Sequence, residues 1–466
     1  MPDKKSALPN ESPRHGTVRR RLRTKTRRHL SATQIIILGF LALIALGALL
    51  LMLPISSESR SFTPPDTAFF TAVSATCVTG LSVVPTGTYW SLFGEIVIIT
   101  LIQIGGLGFM TLAVMLSIFI RRQITPRERM VMAQSLGLSD FGGTIRLVKR
   151  ILLGTFIIES CGAILLSTQF VPEYGPARGI YYGIFHSISA FCNAGFDLLN
   201  GLDGFQRNYL VGFTLMALIV IGGIGFIVWD DIVNLIKKRA RVSVYSRLVL
   251  ATSAILIVSG ALLVALFEWN NPATLGAMTL PDKLYHSLFQ SVTTRTAGFD
   301  LIGNADMTGS TQLICLFFML IGGASGSTAG GIKVGTLGVM VLAIIGYAAG
   351  RTEINFRRRR IPHETIIRAT TIFSINLTTG IFGGIVVALV DNIPLLTALY
   401  ETISAVSTVG LSLSLTPTLS LPSMIIVMVL MFFGRVGILT ITYSIMLRQA
   451  RRGSCVTYPE VNLLIG

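Results

Sequence analysis

"STVGLSLS", residues 407–414, places Ser, Thr and Gly together after about ten largely apolar residues. Ten residues of helix are too few to cross a bilayer, whose hydrocarbon core takes roughly 20. The same arrangement occurs three more times. Aligned on the turn, the four segments are "FFTAVSATCVTGLSV" (69–83), "IFHSISAFCNAGFDL" (184–198), "LFQSVTTRTAGFDL" (288–301) and "LYETISAVSTVGLSL" (399–413). Each carries an aromatic residue, a Ser or Thr cluster, and a Gly followed by Leu or Phe. The glycines, Gly80, Gly195, Gly298 and Gly410, are 115, 103 and 112 residues apart. One match would mean nothing in a chain with 46 glycines, but four in register make a repeat. The third segment is one residue shorter and has Arg295 where the others have Thr, Phe or Val, so a distorted turn is expected there.

A second block repeats with the first. "IGGLGF" (104–109) and "IGGIGF" (221–226) follow Gly80 and Gly195, and "IGGASGSTAGGIKVG" and "FFGRVGILT" stand at the corresponding places after Gly298 and Gly410. Each unit therefore reads as a spanning helix, a short re-entrant helix with a polar turn, and a second spanning helix carrying glycines. The expected fold is an all-α integral membrane protein of four parallel helix–pore loop–helix repeats, pseudo-fourfold around a central pore. The expected divisions are a basic arm (1–32), repeats at 33–122, 146–238, 245–350 and 366–448, and a tail (449–466).

Composition agrees, with 52% hydrophobic and 13% charged residues among 466; soluble domains carry about 25% charged. Eight apolar stretches reach spanning length, at about 33–54, 91–120, 147–169, 211–236, 246–267, 311–349, 367–390 and 423–447. The net charge of +16 follows the topology rather than a nucleic-acid surface: 31 of the 38 Lys and Arg fall on one side of those stretches. That side is cytoplasmic by the positive-inside rule, which places both termini inside the cell. The first apolar run reads as an uncleaved anchor, and the basic arm before it as a topology signal or a contact for anionic lipid or a cytoplasmic partner. Five cysteines (Cys77, Cys161, Cys192, Cys315, Cys455) show no CxxC pairing, which argues against a disulfide framework or zinc site.

Irregular backbone at membrane depth survives only where it is buried in protein or lines water. Four re-entrant turns thus point to a common aqueous axis. A helix that enters from outside and ends mid-membrane aims its partial negative charge at that axis, favouring a cation. Glycine lets the turns approach closely and expose carbonyls, and a ring of carbonyls replaces the hydration shell of an alkali ion. The residues of this path are Cys77, Val78, Thr79, Gly80, Cys192, Asn193, Ala194, Gly195, Thr296, Ala297, Gly298, Ser407, Thr408, Val409 and Gly410. Asp197 and Asp300 lie two residues past their glycines, as a half-ring attracting cations at the outer mouth or as caps and loop acceptors.

The sixth stretch carries "GGASGSTAGG", too rich in glycine for a helix interior. Its residues, Gly322, Gly323, Ala324, Ser325, Gly326, Ser327, Thr328, Ala329, Gly330 and Gly331, read as a loop beneath the turns, with close small-residue helix packing as the alternative. Lys333 and Arg435 both follow a glycine break within apolar sequence and should face the interior, with Lys333 alternatively reaching the inner surface. Glu95 and Glu159 are candidate partners.

The four turns, the "GGASGSTAGGIKV" stretch and the lone Arg in "FFGRVGI" resemble the Trk/Ktr/HKT superfamily of potassium transporters, from about residue 33 to 447. The first helix leads directly into the first turn, which is more similar to the Ktr membrane subunit, KtrB, than to the longer TrkH. The resemblance implies potassium as substrate ion, one filter glycine per turn, and an intramembrane gate loop ending at Lys333 with Arg435 near the pore. It also implies a homodimer in membrane lipid and a cytoplasmic ring of RCK domains like KtrA, through which alone ATP or ADP acts. No covalent cofactor is implied, and sodium dependence stays open. No enzyme constellation is present: "PHET" (362–365) lacks the second His of a metalloprotease motif, and the glycine run is not a phosphate loop. His186 and His286 are assigned to packing. The rival reading is a secondary transporter of another cation or small solute, whose repeats are usually two and inverted rather than four and parallel.

Overall fold

A computed structural model describes residues 32–108, 144–202, 204–238, 242–351 and 353–437. Residues 1–31 of the basic arm, the loop beginning at Arg121, the ends of the second and eighth apolar stretches, and the tail with Cys455 lie outside the described residues.

The chain is built of helices. After α1 (Ala32–Leu51) come α2 (Pro65–Cys77), a four-residue α3 (Thr86–Tyr89) and α4 (Leu92–Leu107). Next is α5 (Thr144–Phe191), two helices joined at Gly175, where φ of 79° breaks the run beside Pro176. Then follow α6 (Tyr209–Gly223), α7 (Phe226–Lys238), α8 (Val244–Glu268), α9 (Leu280–Thr293), α10 (Gly309–Met319) and α11 (Val334–Ala348). A hairpin of β1 (Asn355–Phe356) and β2 (Arg359–Arg360) precedes α12 (His363–Asp391), α13 (Leu395–Ser407) and α14 (Leu421–Phe432), after which Phe433–Gly437 forms a wide π turn.

Four short helices end in the four glycine turns: α2, the second half of α5, α9 and α13. Each starts at a proline (Pro65, Pro176, Pro281, or Pro394 as N-cap), whose fixed φ suits a first helical turn and whose missing N–H is no loss there. Each is pinned by one fully buried aromatic at the same register: Phe70, Phe185, Phe289 and Tyr400. These helices are rich in Ser and Thr yet buried, while apolar residues such as Leu46, Leu49, Leu153, Phe156, Ile255, Leu262, Ile344 and Leu389 are exposed on the helices around them. Polar inside and apolar outside is the pattern a bilayer selects.

The packing closes on itself. Each apolar helix after a turn packs on the next re-entrant helix: α4 on α5, α6 on α9, α10 on α13, and α14 back on α2. Among the described residues, α1, α5, α8 and α12 contain stretches long and apolar enough to cross a membrane, and the α6–α7 pair passes the same test as a broken span. Each of the eight expected stretches carries helix in its described part, but the fourth and sixth are broken. The interruption of the sixth was expected. The fourth bends by 97° between α6 and α7, which was not. Its cause is visible in the hydrogen bonds: the amides of Ala324 and Thr328 take the carbonyls of Gly223 and Gly222, and the Phe226 amide donates to Gly326. The 322–331 segment thus replaces the helix's own continuation.

Candidate functional site

The four turns share one backbone path. The residue two before each glycine is left-handed, with φ of 60° at Val78, 59° at Asn193, 64° at Thr296 and 52° at Thr408. The glycines follow at 93°, 69°, 78° and 93°. Such conformations cost β-branched residues about 1–3 kcal/mol each, and three of the four penultimate positions are Val or Thr. In turns one, two and four the cap is the six-residue helix ending, with Thr79, Ala194 and Val409 amides donating to the carbonyls of Ser74, Ser189 and Ser404 (2.8 Å each). Turn three is shorter: Ala297 donates to Thr293 (3.0 Å), closing a five-residue loop. The missing residue is therefore absorbed in the helix cap, and both positive φ values survive. Arg295 leaves the turn altogether, its guanidinium buried and donating to Ser253 Oγ (3.2 Å).

These turns meet. A β-carbon on Gly80 would stand 2.3 Å from the Ala194 carbonyl oxygen, one on Gly195 2.7 Å from that of Ala297, one on Gly298 2.6 Å from that of Val409, and one on Gly410 2.2 Å from that of Thr79. Each glycine thus lies against the carbonyl preceding the next glycine, and the fourth returns to the first. Positive φ and this contact together exclude any side chain. Within the same turns the buried polar atoms Thr79 Oγ1, Asn193 Nδ2, Thr296 Oγ1, Ser407 Oγ and Thr408 Oγ1 have no partner among the described residues. The cysteine side chains are engaged elsewhere: Cys192 Sγ points to Gln103 on α4 (3.4 Å), and Cys77 is buried in an apolar cluster.

Beyond the ring lies a cavity of about 340 Å³ lined by all four glycines, Asp197, Asp300, Asn304, Ser412 and Thr416 among others. The two aspartates border it, but their oxygens are engaged. Asp197 accepts from the amides of Leu199, Gly201 and Leu202 and contacts His186 Nε2 at 2.7 Å; Asp300 accepts from Ile302, Gly303 and Asn304. Burial pushes the Asp197 carboxyl up, and His186 with the Leu199 and Leu202 amides outweighs it, holding the group below the ordinary carboxylate value. Both residues border the cavity and both serve as acceptors for the loop that follows their glycine.

Below the ring runs Gly322–Gly331. Thr328 Oγ1 donates to the Phe191 carbonyl and lies 3.0 Å from Asn193 Oδ1 at turn two. A β-carbon on Gly330 would strike Thr408 Oγ1 (1.8 Å), and Gly331 lies against the Ser407 carbonyl. Arg435, carried by the π turn, donates to the carbonyls of Thr328 (2.5 Å), Gly105 (2.6 Å) and Gly106 (3.1 Å). It therefore ties the loop to the end of α4, where helix carbonyls go unpaired. Lys333 Nζ folds back on the loop, donating to Ala329 (2.7 Å) and Gly330 (3.3 Å), rather than reaching the inner surface. The carboxylates proposed as partners are elsewhere: Glu95 accepts from Tyr181 and Glu159 from Gln103. Among the described residues peptide carbonyls hold both cations, because a glycine-rich loop and broken helix ends leave them free to accept.

Sequence reasoning missed a set of side chains on the re-entrant helices. His186, assigned to packing, pairs with Asp197, and buried Glu401 accepts from Ser412 and Thr416. Their signal was available in the alignment, since both stand nine residues before their glycines.

The apolar helices define a multi-pass membrane protein in which four glycine turns meet beside the Gly322–Gly331 loop. The family described as "TrkH: Cation transport protein" matches residues 14–452, and the chain belongs to it; this is a transport family, not an enzyme family. The chain is 37% identical over 450 residues to the potassium/sodium uptake protein NtpJ of Enterococcus hirae, covering 96% of this chain and 99% of that one. It is 39% identical over 435 residues to the Ktr system potassium uptake protein B of Bacillus subtilis, covering 93% and 96%. The crystal structure of the potassium transporter TrkH from Vibrio parahaemolyticus has the same fold, with a TM-score of 0.70 at 19% identity over 91% of this chain and 86% of that one.

Proposed function

We propose that this chain carries potassium into the cell across the plasma membrane, with both termini cytoplasmic. Four quarters, residues 33–122, 146–238, 245–350 and 366–448, stand in parallel around one pore, each giving it one turn. Cys77–Gly80, Cys192–Gly195, Thr296–Gly298 and Ser407–Gly410 form the filter, where carbonyl oxygens replace the water a potassium ion sheds. The observation that carries this reading is the closed succession of glycine against neighbouring carbonyl. The unpartnered hydroxyls of Thr79, Thr296, Ser407 and Thr408 add to it, since a buried polar group without a partner costs about 1–3 kcal/mol and asks for an ion or water.

Gly322–Gly331 is the gate, held under the filter by Arg435, Lys333 and the bend between α6 and α7. Two named relatives support potassium as substrate, and the name of one includes sodium. The name of the other, a Ktr system protein B, supports a regulatory partner: a cytoplasmic ring of nucleotide-binding RCK domains contacting a homodimer of this chain. The basic loops, including the hairpin Arg357–Arg360, are the docking surface. Rubidium uptake in a potassium-uptake-deficient host, with and without sodium and with and without an RCK partner, tests all three points. Uptake of rubidium blocked by potassium is expected; no uptake, or uptake indifferent to potassium, overturns the reading.

A further inference from the structure

We propose that Glu401 is a positioning residue for the filter, one of three side chains at a single register that brace the outer end of a turn from behind. The inference rests on the filter reading above and assigns a role to residues outside it.

In the aligned re-entrant helices the register after the buried aromatic is occupied by Thr71, His186, Gln290 and Glu401. These differ in chemistry, yet three make the same kind of connection. His186 Nε2 contacts Asp197 Oδ1 at 2.7 Å, two residues past Gly195. Gln290 Nε2 donates to Asn304 Oδ1 (2.8 Å), whose own amide donates to Asp300, two residues past Gly298. Glu401 accepts from Ser412 Oγ (2.7 Å), two residues past Gly410, and from Thr416 Oγ1. All three braces are fully buried, while Asp197, Asp300, Asn304, Ser412 and Thr416 line the outer cavity. Tyr400 OH also donates to Asn304 Oδ1 (2.9 Å), so the third and fourth braces are linked.

The chemistry is exchanged between quarters. In turn two the helix offers an imidazole and the loop a carboxylate; in turn four the helix offers the carboxylate and the loop two hydroxyls. What is kept is a bond from helix to loop. The first quarter differs: Thr71 Oγ1 donates within its own helix to Thr67, and among the described residues it makes no bond to the segment after Gly80. A turn that carries two left-handed residues and projects its carbonyls inward is under strain, and such a conformation persists only where its surroundings over-determine it. Each brace fixes the far end of a turn whose near end is fixed by the helix cap. Loss of a brace should therefore change which ion the ring fits before it changes how much protein folds.

The test uses the full chain in the uptake-deficient host and in purified form. Glu401→Ala is expected to raise the KM for rubidium about tenfold and to let sodium compete, with maximal rate and folded yield changed less than about twofold. Glu401→His alone should behave like Glu401→Ala. Glu401→His with Ser412→Asp rebuilds in turn four the pair found in turn two, and should return KM to within about threefold of the parent. A role in packing alone would not distinguish the single from the double variant. If Glu401→Ala does not fold, Ser412→Ala with Thr416→Val removes the same bonds from the loop side and must give the same shift in KM. Parent-like KM and ion preference in Glu401→Ala, or equal behaviour of the single and double His variants, overturns the brace while leaving the filter reading standing. Absence of rubidium uptake by the parent chain overturns the filter reading, and the brace with it.

Discussion

The ring of turns and the loop beneath it are both glycine-rich, both irregular and both buried, yet they are held in opposite ways. Each ring glycine faces backbone of the adjacent turn, and the four contacts are nearly equivalent. The loop comes from one quarter only, and side chains and peptide groups from the others reach it: Thr408, the Gly222 and Gly223 carbonyls, and Arg435. Backbone against backbone has no cheap way to yield, whereas a hydroxyl can rotate and an arginine can swing out. On the proposed reading, this contrast is what separates a fixed set of ligands in the ring from a moving part in the loop.

The sharpest way to break this contrast is Gly410→Ser. A side chain there meets the Thr79 carbonyl in a backbone of φ 93°, and several kcal/mol of strain should lower potassium preference over sodium by roughly 100-fold in competitive uptake. Unchanged ion preference would remove the ring from the permeation path. Shortening Gly322–Gly331 acts in the other direction. Rubidium flux should rise about tenfold and lose its dependence on a regulatory partner, and abolished flux in a well-expressed deletion counts against the gate. Arg435→Gln removes charged hydrogen bonds to three carbonyls, each worth about 1.5–3 kcal/mol when unreplaced, and should raise flux about threefold without altering ion preference. A change in preference instead would place Arg435 in the filter rather than under it.

The smallest effect concerns the mouth. Asp197 is held below its ordinary value in the folded chain, so its stabilisation is present above the unfolded carboxylate value of about 3.9 and is lost as pH falls through the folded one. Asp197→Asn should lower the melting temperature at pH 6 by a few degrees and flatten the acid limb between about pH 5 and 3. An unchanged acid limb would show that His186 and the loop amides hold the turn without the charge.

Much of this was legible in residue order. The four glycines and their spacing announced the turns, the prolines and buried aromatics mark where each re-entrant helix starts and sits, and the glycine run announced the break in the sixth span. The bend at Gly225 was not legible, because nothing in "IGGIGFIVW" announces the loop from another quarter whose hydrogen bonds decide it. Lys333 and Arg435 bond the Gly322–Gly331 loop, but their partners were sought among acids. Carbonyls released by broken helices carry no signature in sequence. Glu401 and His186 escaped for a related reason: their chemistries differ, and only the shared bond to the segment after the glycine makes them one set.

The order of residues by itself determined that this chain lives in a membrane, that it repeats four times, and that each repeat contains a turn only glycine can make, since these follow from hydropathy, period and backbone sterics. Which carbonyl each glycine faces, which quarter holds the loop, and which side chain braces which turn were decided by the tertiary structure alone. The glycine–carbonyl contacts join residues more than a hundred positions apart, and the braces, though they span only 11 to 15 positions, join a helix to a loop whose paths are set by that packing.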